Sequence, residues 1–425
     1  MQTYHENAKE LPIAGEYDVI VAGSGPAGTA AAVMAGRMGA KVLIIEWNNA
    51  IGGISTSGMM SHWTGSVTSP MYTEILQRSA DMNEGEQKGK IQQFINPENL
   101  KSVYLDMLKD ANVDILLYTF VCGVVMEGDQ LTGVITESKS GRRVFRSKVV
   151  VDGTGDGDVA AFAGVEYHKG RESDGKMQPT TLMFKVAGVD MSRAVLLGSF
   201  ESTYQTEKGE LQALAKEHIP YPAGHLLAYK STLPGIVTCN MTNCTDIDGT
   251  KAEDLTRAEI VCRSQMPAIV KYLREFVPGF ENCYIISAGS MMGVRETRHF
   301  KGVYTLNEND ILTAKVFDDW VVRGAHFNFD VHNMTGSGLD ATGVQKHWTQ
   351  PKGYTIPYGC LVPEKINGLL LSGRNISGTH IAHSNYRVMP ICVGIGAAAG
   401  VAAATAIKKG VQVRDIKGEE LQDRL

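Results

Sequence analysis

Between an aliphatic run and an alanine-rich stretch, residues 23–28 read Gly-Ser-Gly-Pro-Ala-Gly, and this turn limits the available folds more than any other feature of the chain. Three glycines in six positions suit a backbone that must turn sharply or be approached closely. Upstream, Tyr17 to Ala22 (YDVIVA) reads as a short buried strand. Downstream, Pro26 to Met38 reads as a helix and Lys41 to Glu46 (KVLIIE) as a second strand. Strand, glycine turn, helix and strand make a βαβ unit, the context in which G-x-G-x-x-G signals a dinucleotide. Gly23 permits the tight turn, Gly25 lets a pyrophosphate approach N–H groups at the positive helix end, and Gly28 lets helix and strand pack closely. Glu46, 18 residues beyond Gly28, ends the second strand. Its carboxylate accepts hydrogen bonds from adenosine ribose hydroxyls and repels a 2′-phosphate, which disfavours NADP. The alternative is a glycine-rich turn that binds nothing.

Length and charge narrow the function classes. A chain of 425 residues makes two or three domains. Lys and Arg total 41 against 46 Asp and Glu, a net charge of -5 without any basic run, so a nucleic-acid partner is not expected. Seven scattered cysteines and the polar start MQTYHENAKE suit free thiols in a reducing cytoplasm. Val388 to Ile407 is long enough to span a membrane, being 20 residues without a charge. Its alanines and glycines, with no leucine, point instead to a buried helix that approaches a neighbour closely, so no membrane partner is expected.

After Glu46 come Trp47 and then Gly52-Gly53-Ile54-Ser55-Thr56-Ser57-Gly58. An NAD site has no need of this second glycine pair, whereas FAD carries a ribityl chain and flavin beyond the pyrophosphate and needs a second contact loop. Farther on, Leu131–Glu137 and Val144–Asp152 form a hairpin that ends at DGTGDGD, and the strand Gly368–Ser372 leads through Gly373-Arg374 to the small-residue helix. Between these parts lies a long helical stretch from about Ala252 to Phe276 that Pro267 should kink.

The motifs YDVIVAGSGPAGTAAAVMAGRMGAKVLIIE, IGGISTSGMMSHWTG, VVDGTGDGDVAAFAG, QPTTLMFKVAG, MMGVRETRHF, IPYGCLVP, NGLLLSGRNIS and YRVMPICVGIGAAAGVAAA occur in that order from residue 17 to about 407. Together they resemble the FAD-dependent oxidoreductases built on the glutathione-reductase-like FAD fold. The resemblance implies an α/β architecture: a discontinuous Rossmann-like FAD-binding domain (16–160 and 353–425) with an inserted α+β substrate domain (161–352). By the same resemblance, Gly23, Ser24, Gly25, Pro26, Ala27, Gly28 and Glu46, followed by Trp47, hold the ADP moiety. Gly52, Gly53, Ile54 and Ser55 run along the pyrophosphate and ribityl chain. Val121 meets the adenine through its backbone, and Gly153, Gly155 and Asp156 close the site. Gly373 and Arg374 lie beside the ribityl chain; many members of the wider fold carry an acid where this chain has Arg374. The helix that begins near Met389 and includes Gly394 and Ile395 aims its N-terminus at the flavin pyrimidine.

Flavin supplies the redox step, so the protein must place a substrate near it and handle a proton. His62 and His332, the latter in the alternating stretch HFNFDVHN, are the acid or base candidates, each with a structural role as its alternative. A strand there would turn Phe327, Phe329 and Val331 to one face and His326, Asn328, Asp330 and His332 to the other. Arg295 is either a structural ion-pair partner of its acidic neighbour or a clamp on substrate or flavin. Cys239 and Cys244 lack a second pair at zinc spacing, so no metal is expected. Without a second nucleotide-binding βαβ unit, the partners expected are a small-molecule substrate and an external electron acceptor or donor. The function implied is hydride transfer between a small organic molecule and non-covalent FAD. A flavin monooxygenase, a non-catalytic flavin- or nucleotide-binding protein and an NAD-only dehydrogenase are the alternatives.

Overall fold

The computed structural model describes residues 2–340 and 353–425. Four aliphatic segments, Asp114–Leu116, Val42–Ile45, Ile13–Ala22 and Arg143–Asp152, lie side by side as parallel strands in that order. Arg143–Asp152 is the hub of the sheet. One edge pairs with Ile13–Ala22 along most of its length, and the other is shared between an antiparallel strand, Gln130–Glu137, and a parallel one, Leu369–Leu371. Phe120–Glu127 extends the hairpin into a three-stranded meander. Val19 to Ala22 and Val42 to Ile45 are fully buried, as strands covered on both faces require.

Two helices cover this sheet. The first helix, Pro26–Arg37, begins at the glycine turn with Pro in its first turn, where the missing N–H is no loss. The C-terminal helix, Met389–Lys409, is the uncharged stretch and is buried over most of its length, as a core helix. A Cβ on Gly396 would come within 2.0 Å of the Ala27 carbonyl oxygen, and one on Gly400 within 2.2 Å of that of Ala31. Glycine four residues apart on one helix thus lets two backbones touch.

A second core lies under an antiparallel sheet of Ala228–Lys230, Val237–Cys239, Phe184–Ala187 and Tyr284–Ala288. Leu211–His218 and Ala252–Phe276 pack on it, and the latter continues through Pro267. The stretch from Phe300 to Phe329, assigned from sequence to the inserted unit, instead contributes Phe300, Leu306, Val321, Val322 and Phe329 to the first core. There Trp320–His326 pairs with both Ser66–Thr68 and Tyr354–Pro357. All seven cysteines are free, six of them buried.

Because the interhelical contact leaves no room for a side chain, Gly400→Val should lower unfolding free energy by about 1–3 kcal/mol or more. Chemical denaturation of the purified variant measures this, and stability equal to wild type would refute the packing argument.

Candidate functional site

The glycine turn is built almost wholly from backbone constraints. Gly23 has a φ of +85° and a Cβ there would lie 2.5 Å from the Gly153 carbonyl oxygen; one on Gly28 would lie 2.0 Å from that of Gly23. Gly28 thus serves the closure of the turn as well as helix packing. Gly25 differs: it has ordinary helix N-cap dihedrals, and an added Cβ meets nothing within 4 Å. Its missing side chain therefore leaves open space in front of the first helical N–H groups, where an anion is stabilised by the helix dipole.

That space belongs to a cavity of about 1040 Å³. Gly23, Ser24, Gly25, Pro26 and Ala27 line it, followed by Glu46, Trp47, Gly53, Ile54 and Val121. Gly153, Gly155, Asp156, Gly373, Arg374 and Met389 line it as well. Four expected contacts fall behind the wall with Gly28. Gly52 donates to the Ser24 carbonyl, the Ser55 hydroxyl turns back to the Gly52 carbonyl at 2.6 Å, Gly394 packs near Val67 and Val322, and Ile395 is fully buried. Among residues of the C-terminal helix, the first turn faces the cavity through Met389 and Cys392, with Val388 as N-cap.

Glu46 is 4% exposed, and its carboxylate is engaged within the protein. One oxygen accepts from the Ser24 N–H (2.9 Å) and hydroxyl (2.6 Å), the other from the Asn48 N–H (2.9 Å). Carboxylate oxygens accept more than one bond, so a ribose hydroxyl can still join. Arg374 pairs with Asp156 at 2.7 Å, and the Thr297 hydroxyl donates to the same oxygen. Arg374 thus neutralises an acid of the 153–156 loop on the cavity wall. Asp152, buried at the strand end, accepts from the Thr154 N–H and hydroxyl and the Ala160 N–H, and burial raises its pKa to about 6.

The far wall of the cavity carries polar chemistry. Arg295, Asp330, His332 and Arg387 line it with Tyr229 and Asn240. Arg387 donates to the Asp330 carboxylate at 3.0 Å and to its carbonyl at 2.8 Å. The Gln178 side-chain oxygen accepts from the His332 N–H at 3.1 Å. His332 Nε2 lies 3.4 Å from Asp330. Burial, reinforced by Arg295, nonetheless lowers the His332 pKa to about 4, so its ring is neutral at pH 7 and does not titrate near neutrality as expected for a poised acid or base. Asp330 stays ionised despite burial, through its contact with the His332 ring and the positive charges of Arg387 and Arg295.

Two further expectations are corrected. HFNFDVHN is not a strand: regular pairing stops at His326, and the carbonyls of Phe327 and Asp330 are taken by the side chains of Asn385 and Arg387. His62 does not line the cavity. It stacks behind Tyr229, with ring centroids 4.7 Å apart, and burial lowers its pKa.

Arg295 does line the cavity, but its neighbour Glu296 points away. The Glu296 carboxylate meets His299 Nε2 at 2.8 Å and His380 Nδ1 at 2.5 Å, and accepts from the Gln178 N–H at 2.9 Å. These three side chains bring metal-ligand atoms within 4.8 Å of one another, a grouping missed from sequence because 84 residues separate Glu296 from His380. Asp330, Arg387, Tyr229 and Asn240 were also missed as site residues; only the proximity of Asp330 to His332 offered a local signal.

Residues 18–425 match the family model described as FAD dependent oxidoreductase. The chain is 25% identical over 198 residues to digeranylgeranylglycerophospholipid reductase 1 of Methanococcoides burtonii, a match covering 42% of this chain and 47% of the relative. It thus spans about half the length of that curated relative. A geranylgeranyl bacteriochlorophyll reductase-like protein from Thermoplasma acidophilum shares the fold, with a TM-score of 0.50 and 13% identity over 93% of this chain and 80% of the other. The chain therefore belongs to the FAD dependent oxidoreductase family: it is an enzyme, and its cofactor is FAD.

Proposed function

We propose that the enzyme transfers a hydride between a small organic substrate and non-covalently bound FAD, in a site of the glutathione-reductase-like type. The observation that carries this reading is the continuity of one cavity from the glycine cradle to the Arg295, Asp330, His332 and Arg387 wall. In this reading the FAD-binding unit comprises 16–160 and 353–425 together with the 300–329 stretch, and the second core covers its open face. FAD supplies the two-electron acceptor or donor. The chain's own residues bind and orient. Backbone N–H groups after Gly25 take the pyrophosphate, and Glu46 takes the ribose. The N-terminus of Met389–Lys409 favours negative charge on the group lodged against it. Leu227, Met183 and Phe327 exclude water from the far end. The neutral His332 ring accepts a proton from a substrate hydroxyl or amine, with Asp330 stabilising the cation that forms. The free thiols suit a reducing cytoplasm, and an external electron partner completes the cycle.

Heat denaturation should release FAD; chromatography that recovers only FMN or NAD would overturn the assignment. Gly25→Val should abolish FAD retention while leaving the thermal stability of the apoprotein unchanged, because the new side chain meets ligand and not protein. Flavin occupancy equal to wild type would show that the pyrophosphate lies elsewhere.

His332→Gln should slow substrate-dependent flavin reduction by roughly 10²–10⁴-fold with FAD content unchanged. An unaltered stopped-flow rate would return His332 to a structural role. Its pKa is lowered from the ordinary 6.5 to about 4, so the stabilisation from its neutral ring is complete above pH 6.5 and is lost as pH falls toward 4. Acid titration of stability should therefore be flatter in His332→Gln over that window.

A further inference from the structure

We propose that the substrate is a small organic carboxylate and that Arg295 holds it. This rests on the reading of the cavity as a flavin site and specifies the substrate class at its far wall. Asp156 is matched by Arg374 at 2.7 Å, Asp158 by Arg298 at 2.8 Å and Asp330 by Arg387 at 3.0 Å. Glu46 is bound by Ser24 and Asn48, and Glu201 and Glu259 are open to solvent. Arg295 is the exception. Among the described residues no carboxylate lies within 4 Å of it; its Nη1 donates to two neutral oxygens, the Pro179 carbonyl at 2.7 Å and the Thr181 hydroxyl at 2.8 Å.

Those two bonds fix the guanidinium plane and leave Nε and Nη2, the parallel fork that matches a carboxylate, without a partner among the described residues. Burial lowers its pKa only to about 10, so it is a cation at neutral pH. With His332 neutral, the wall carries two guanidinium charges against the one carboxylate of Asp330. Asp330, which Arg387 already pairs, attracts Arg295 only from beyond ion-pair distance; a half-buried cation without a carboxylate in contact is costly, and an anionic ligand relieves that cost. Asn240 Oδ1, on the same wall, is buried without a hydrogen-bond partner, and it can accept from a hydroxyl beside the carboxylate.

The test titrates holoprotein with glycolate, lactate and malonate and with their uncharged amides, reading flavin difference spectra and thermal shift. The acids should give a saturable response and the amides should bind at least about tenfold more weakly, the scale of hydrogen bonds to a charged group. Arg295→Gln should weaken acid binding by about 10–10²-fold with full flavin content, and Arg295→Lys should restore part of it. Equal binding of acid and amide, or no response to any acid, would overturn the proposal. So would an Arg295→Gln variant that keeps its affinity for acids but has a lowered flavin reduction potential, which would assign the guanidinium to the flavin. Should the variant fail to fold, the acid-against-amide comparison on wild type decides alone. A colourless wild-type protein would refute the flavin-site reading separately, since thermal shift still reports the preference for acids.

Discussion

Backbone touching backbone at glycine is the constraint on which the rest of this molecule depends. Gly396 and Gly400 present bare Cα atoms to the Ala27 and Ala31 carbonyls, and Gly28 does the same to Gly23 within the turn. Such contacts tolerate almost no adjustment, because a single added carbon collides with atoms that are themselves hydrogen-bonded or buried. They bring the starts of two helices to one cavity, so that two regions favourable to negative charge lie a fixed distance apart without help from any long polar side chain. The sheet beneath is equally constrained. Arg143–Asp152 is paired on both edges, and its last residue, Asp152, anchors the loop that closes the cradle.

Beyond the cradle, the site is organised by which charges are matched. Arg374 and Arg387 each neutralise an acid on their own stretch of wall, and Glu296 spends its carboxylate on two histidines and a backbone N–H. The Glu296 bond to the Gln178 N–H matters for the neighbouring wall. Gln178 in turn accepts from the His332 N–H through its side chain, so a buried carboxylate outside the cavity positions the segment that carries the imidazole. Tyr229 is backed by the His62 ring in a similar way, which gives that histidine a packing role in place of the chemical one its position in the chain suggested.

The cradle was legible in the sequence because there the backbone dictates residue identity locally: only glycine fits at Gly23 or Gly28, and the strand and helix on either side are announced by their own periodicity. The same holds for the C-terminal helix, whose small residues record a close neighbour. The far wall was not legible. Its members come from Thr181, Tyr229, Asn240, Arg295, Asp330 and Arg387, segments joined only by tertiary structure. The stretch HFNFDVHN alternates as a strand should, yet its carbonyls are claimed by Asn385 and Arg387, more than fifty residues later. Nor can burial be read from His332 itself, and burial decides its protonation.

The double duty of Glu46 has a consequence for redesign. The carboxylate expected to meet a ribose already clamps Ser24 through its N–H and hydroxyl and also holds the Asn48 N–H. With Glu46 on the ribose, as proposed above, nucleotide preference and the shape of the glycine turn rest on one side chain. Replacing it with a cation, the usual route toward acceptance of a 2′-phosphate, would remove the clamp at the same stroke. Retargeting this enzyme to another nucleotide therefore requires a new acceptor for Ser24 before any change in the pocket that faces the sugar.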